Sequence, residues 1–219
     1  MSVRQLVPTE FVTSHACTDP SLYTPDLDLL AYLLQDLRTL LRSNAAGRVE
    51  LVAHEPVLWD VHNLRRRTVV CETEAVRSCD LVHIVGFFAD RRDQIDDIVL
   101  DDLEIDLFDE FRRFPGILSY SSMELANRYW ANLVVHRVPD DTESWRTSTA
   151  HDRAVDISPR LYRSVRIHNG HIDGGVVGNG AIVIDRTKYW DYDHDPVWRA
   201  ERSFDPPLRR VRKQHDDER

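Results

Sequence analysis

Residues 81–89, LVHIVGFFA, decide how this chain is read. The run is almost wholly apolar and short, which suits a strand covered on both faces. Downstream, Val99, Leu103, Leu107, Phe111 and Phe114 step by four or three, so 95–114 is predicted helical, and Pro115-Gly116 breaks it. Two strands follow at 117–125 and 129–138, joined by a short turn at Ala126-Asn127-Arg128 as a hairpin. Pro139 closes the second strand. Asp140 and Glu143 then have capping-box spacing for a helix running to about Asp156, which Ser158-Pro159 ends. Residues 161–168, LYRSVRIH, supply a last strand. The order strand, helix, strand, strand, helix, strand describes a split βαβ unit, a layout that often pairs with a second copy around a small-molecule cavity.

Outward from this block the signals weaken. Residues 169–180 hold five glycines and are not a dinucleotide fingerprint, because GxGxxG between a strand and a helix is lacking. They fit a wide hairpin or a flap, and 181–185 (AIVID) add a strand. Toward the N-terminus, 1–24 is an expected irregular arm. Pro25-Asp26 opens a helix whose Leu30, Leu33, Leu34, Leu37, Leu40 and Leu41 form one apolar stripe, stopped by Asn44 and Gly47. Short strands are expected at 48–54 and 68–73, with 55–67 unassigned. The chain thus divides into an extension at 1–79, a core unit at 80–192 and a C-terminal arm at 193–219. The extension is either a degenerate second copy of the unit or a helix and hairpin packed on its sheet.

The 219 residues are 42% hydrophobic and 30% charged, enough for a packed core. A net charge of −9 argues against nucleic-acid binding, which needs a basic surface. No run of about 18 apolar residues is present, so no membrane span is expected. The N-terminal sequence lacks a secretory h-region, and Cys17, Cys71 and Cys79 form no CxxC, so a reducing cytoplasm is the expected location.

The block resembles the dimeric α+β barrel (ferredoxin-like) superfamily, in particular its antibiotic-biosynthesis-monooxygenase-like branch. The likeness covers roughly 80–190. It rests on the element order, on the Phe114-Pro115-Gly116-Ile117 corner, and on the helix carrying Trp145, Ser148 and His151. The resemblance implies an α+β fold: a ferredoxin-like unit pairing with a second chain as a homodimeric barrel, with a ligand cavity between each sheet and its helices. It implies activities that include cofactor-free oxygenation and haem chemistry, and fold alone does not choose between them.

Candidate residues follow from strand alternation. His83 lies mid-strand among aliphatic residues and either meets a buried partner or lines a cavity. His136 shares a strand face with Asn132 and Val134, and His168 shares one with Arg166, a pattern that also describes a solvated face. His83, His136 and His168 are the expected catalytic bases. His151 is the expected axial ligand if haem is bound, although an exposed histidine beside Asp152 and Arg153 explains it as well. Trp145 reads as a core anchor. His168, His171 and Asp173 offer facial-triad ligand types, but the spacing crosses into a glycine turn without rigid support. Asp191, Asp193, His194 and Asp195 read as an exposed acidic turn. Tyr189, Trp190, Tyr192 and Trp198 wall either an apolar ligand site or a subunit contact. The expected function is oxygenase-type or rearrangement chemistry on an aromatic or polyketide-like small molecule, with no cofactor favoured. A haem enzyme or carrier, and a non-catalytic dimerisation or ligand-binding module, are the alternatives.

Overall fold

The leucine stripe of the N-terminal helix organises the molecule. The computed structural model describes residues 3–61, 64–93, 97–125 and 129–209. Helix α1 (Tyr23–Ala45) buries all six predicted leucines. They pack on Val82, Ile84, Phe88, Leu118, Leu133 and Val135 of one continuous sheet. Contact is close enough that Gly86 has no room for a side chain: a Cβ there would lie 2.8 Å from Leu30 Cδ1.

The sheet has nine strands: β1 (Arg4–Leu6), β2 (Pro56–Val61), β3 (Leu64–Val70), β4 (Leu81–Arg91), β5 (Ile117–Glu124), β6 (Tyr129–His136), β7 (Tyr162–Asp173), β8 (Ile182–Asp191) and β9 (Trp198–Arg209). Their order is β1-β9-β8-β7-β4-β6-β5-β3-β2. Every neighbouring pair is antiparallel except β1 with β9. The short helix α2 (Thr73–Ser78) joins the α1 layer through Val76. The opposite face is covered by α3 (Asp97–Phe111), α4 (Pro139–Trp145) and α5 (Thr149–Leu161).

This architecture corrects the expected fold class. The chain is not a ferredoxin-like barrel unit with an appended helix and hairpin; it is a single open nine-strand sheet with helices on both faces. The element order within 80–173 is as predicted, but the sheet continues past it at both edges. A barrel unit would turn one sheet face toward a partner's sheet. Here α1 occupies that face, because a helix with so broad an apolar stripe must bury it. The exposed apolar sheet on which the expectation of two chains rested is therefore covered within one chain.

Several boundaries also move. Residues 48–54 form a loop rather than a strand, and 56–61 with 64–70 form the hairpin at one edge. The predicted single helix from Asp140 to Asp156 is two helices, broken at 146–148, and Pro159 sits inside α5 rather than ending it. The polar segment after Tyr192 is a strand in part. Ala200, Arg202 and Phe204 of β9 alternate inward, while Pro206 and Pro207 fall where the β8–β9 register shifts between Ile184 and Arg186 and beyond the three-residue β1, a bulged stretch that tolerates missing N–H groups. The predicted turn at 126–128 and the tail at 210–219 lie outside the described residues.

Candidate active site

Between the sheet and helices α3, α4 and α5 lies a cavity of about 260 Å³. Its floor comes from side chains that alternation points away from α1: Val85 and Phe87 of β4, Trp130, Asn132, Val134 and His136 of β6, Val165 and Ile167 of β7, and Trp190 of β8. Leu103, Glu104, Leu107 and Phe111 of α3 form the roof, with Trp145, His151 and Ala154 from the other two helices. Aromatic and aliphatic surface dominates, and a few polar atoms interrupt it, as in small-molecule sites generally.

Three of those polar atoms define the site. Asn132 Oδ1, His136 Nδ1 and His151 Nδ1 are buried without a hydrogen-bond partner, and all three residues line this one cavity. Buried polar atoms are normally satisfied, because an orphaned one costs roughly 1–3 kcal/mol. Three around a single apolar space are therefore a binding pattern rather than scattered packing faults. His136 is 1% exposed. Burial, reinforced by the nearby His83, pushes its pKa down to about 4. At neutral pH it is an uncharged imidazole with an available lone pair. Burial also holds His151 below its ordinary value.

Local structure aims His151. Ser148 caps α5, its Oγ accepting from the His151 backbone N–H at 3.1 Å. The break before Ser148 folds α5 back, so Trp145 and His151 meet edge to face at 5.6 Å between ring centroids. On one continuous helix, residues six apart would diverge. Trp145 is also seated between Phe111 and Phe114, each centroid 5.2 Å away, and so serves as a core anchor and a cavity wall together.

The other end of the cavity is charged. Glu104 is 6% exposed, accepts hydrogen bonds from Tyr120 Oη at 3.0 Å and Ser122 Oγ at 3.1 Å, and is ion-paired to Arg67. Burial raises its carboxyl above the usual range, opposed by Arg67 and the two hydroxyls. The guanidinium carbons of Arg65 and Arg67 lie 5.9 and 5.8 Å from the Trp130 ring.

The expected catalytic histidines do not converge. His136 lines the cavity. His83 is on the same sheet face, opposite His136 in β6 and His171 in β7, but it is half-buried outside the lining. The row continues through His171 Nδ1 to Asp185 Oδ2 at 3.0 Å. His168 is on the α1 face. Its Nε2 bonds Asp26 Oδ2 at 2.9 Å and its Nδ1 bonds Thr187 Oγ1 at 2.7 Å, so both nitrogens are occupied. Asp26 also holds Arg166 through two bonds of 2.8 and 2.9 Å. Burial alone would raise Asp26, yet the His168 hydrogen bond and the Arg166 charge hold it below the ordinary carboxylate value. This buried cluster ties α1 to the sheet, and Arg166, 3% exposed, is far from the solvated residue its strand position suggested.

His168 and His171 lie three apart on one strand and face opposite sides, so they cannot share a metal with Asp173. His151, the expected axial ligand, lines the cavity, whose volume of about 260 Å³ lies just under the ~300–1,000 Å³ typical of small-molecule sites. Glu104, Tyr120 and Trp130 belong to the site without a sequence signal. An acid on an acidic helix, and aromatics on strands, look like ordinary surface and core. Trp190 and Tyr192 line the cavity as an aromatic wall, whereas Trp198 stacks on His15 and Tyr189 bonds Tyr23 and Arg202 on the α1 side.

No protein-family profile and no curated protein matches this chain. Among solved structures, protein SO0527 from Shewanella oneidensis is similar over 43% of this chain and 92% of its own length, at 14% identity and a TM-score of 0.37. So slight a likeness carries neither fold nor function across. Among the described residues, no helix is long and apolar enough to cross a membrane.

Proposed function

We propose that the cavity binds a compact aromatic molecule bearing at least one hydroxyl, and that His136 accepts its proton to begin a reaction on the resulting anion. The carrying observation is the trio of unpartnered polar atoms, Asn132 Oδ1, His136 Nδ1 and His151 Nδ1, inside a mostly apolar space. The volume supports a ligand larger than benzene, which occupies a cavity of about 150 Å³, and smaller than most drugs. Trp130, Trp145 and Trp190 supply flat surfaces for stacking.

His136 suits the role of proton acceptor. It is neutral at pH 7, and its ordinary weakness as a buried base is offset when a phenolate forms beside it, since the opposite charge favours the imidazolium. His151 and Asn132 then orient the hydroxylated ring. An electron-rich phenolate held away from bulk water is a species that can rearrange, or transfer electrons to dissolved dioxygen as oxidant and oxygen source, without a bound cofactor. The test is calorimetric titration with 1-naphthol and with naphthalene. A matched hydroxyl is worth about 1–2 kcal/mol, so 1-naphthol binds about five- to thirty-fold more tightly. His136→Leu removes most of that preference. Equal affinity for both probes, or an unchanged preference in the variant, refutes the assignment.

A further inference from the structure

A second cluster lies away from the cavity, where the N-terminal arm crosses the end of β8. His15, which precedes the 3-10 turn Ala16–Thr18, places Nδ1 2.9 Å from Asp191 Oδ2. His194, in the turn after β8, places Nε2 3.4 Å from the same oxygen. The ligand atoms of all three lie within 4.8 Å of one another. His15 and Asp191 are 7% and 8% exposed, and the His194 side chain is 43% exposed.

The geometry points to a divalent cation site of the zinc class formed by His15, Asp191 and His194. Zinc takes imidazole and carboxylate ligands at about 2.0–2.2 Å in a tetrahedron, which sets neighbouring ligand atoms about 3.3–3.6 Å apart. The His194 separation of 3.4 Å matches that spacing, the His15 separation of 2.9 Å is slightly shorter, and the two imidazole nitrogens lie within 4.8 Å of each other. The ligands are also pre-oriented. His15 is stacked on Trp198 at 3.8 Å with 15° between the planes. The second carboxylate oxygen of Asp191 accepts the Asp193 backbone N–H at 3.1 Å, an outer contact of the kind that fixes metal-binding carboxylates. His194 Nε2 lies 3.4 Å from both Asp191 Oδ2 and the Ser14 carbonyl oxygen, and His15 Nδ1 meets the same carboxylate oxygen, so a cation seated there draws on two imidazoles and one carboxylate. Three protein ligands leave the fourth position, on the half-exposed His194 side, for water. Such an ion clamps the N-terminal arm to the end of β8, while β1 holds the same arm to β9 through only three paired residues.

The test uses the full chain and zinc ion alone. Calorimetry is expected to give one site of micromolar affinity. Cobalt in place of zinc is expected to show the visible absorption of a four-coordinate ion, and saturating zinc to raise the melting temperature by several degrees. His15→Ala and His194→Ala each weaken binding at least tenfold. The second changes a half-exposed ring and so leaves the fold intact. His171→Ala, beside Asp185 on another part of the sheet, leaves affinity unchanged. An absence of binding, or binding that persists in both ligand variants, overturns the proposal.

Discussion

Replacing His136 by leucine makes the protein more stable, and the gain grows as pH falls. Two terms set the size. First, the unpartnered Nδ1 of a residue 1% exposed carries a desolvation penalty of roughly 1–3 kcal/mol that an apolar side chain of similar volume removes. The ring borders the cavity, so leucine has room and overpacking is avoided. At pH 7 the variant gains about 1–2 kcal/mol, or a rise of about 2–8 °C in Tm for a chain of this size. Second, the folded-state pKa is depressed from 6.5 to about 4. Between those values the unfolded chain binds the proton and the folded chain does not, so this contribution is complete above pH 6.5 and is lost as pH falls toward 4. A depression of that size corresponds to about 3 kcal/mol. The leucine variant lacks this loss, so its advantage widens to about 4–5 kcal/mol near pH 4. Urea unfolding of both proteins at intervals from pH 7.5 to 4, with equal m values, measures it. A variant that is less stable at pH 7 and parallels the wild-type pH slope refutes the reasoning, because His136 would then be a satisfied structural residue.

Other sites give independent checks. Asp26→Ala strands Arg166 in a buried position and costs about 3–5 kcal/mol, measured by urea unfolding at pH 7. Gly86→Val forces its side chain into Leu30 and costs about 1–3 kcal/mol in the same assay, with 1-naphthol affinity unchanged because Gly86 faces α1. Ser148→Ala removes the α5 cap, costs about 0.5–2 kcal/mol, and weakens 1-naphthol binding in calorimetry by loosening His151.

The parts of the fold legible in sequence are those with strong local periodicity. The six leucines of α1, the apolar run of β4 and the alternation in β6 each specify their element and its buried face. What sequence does not display is which face a distant helix will cover. The stripe of α1 reads the same whether it packs on the chain's own sheet or elsewhere, so it did not counter the barrel expectation drawn from the element order of 80–190. Strand β9 was hidden by its prolines, which the register shift between Ile184 and Arg186 accommodates. At the site, His136 was visible as a histidine among aliphatic strand neighbours, whereas His151, beside Asp152 and Arg153, read equally as an exposed residue. His168 looked equivalent to His136, because strand alternation gives two faces without saying which one holds the cavity. The convergence of Trp145 with His151 depended on a helix break at Ser148, a residue that caps one helix or sits within a longer one with no local difference. Likewise, Asp191 and His194 resembled an exposed turn until the fold brought His15 across from 176 residues away.

Histidine-resolved NMR with and without 1-naphthol tests the cavity assignment most directly. The account predicts that the ring nitrogens of His136 and His151 shift together on ligand addition, with His136 taking on imidazolium character, while His168 on the opposite sheet face stays still. Unmoved His136 and His151 signals at saturating ligand, or a response confined to His168, would contradict it.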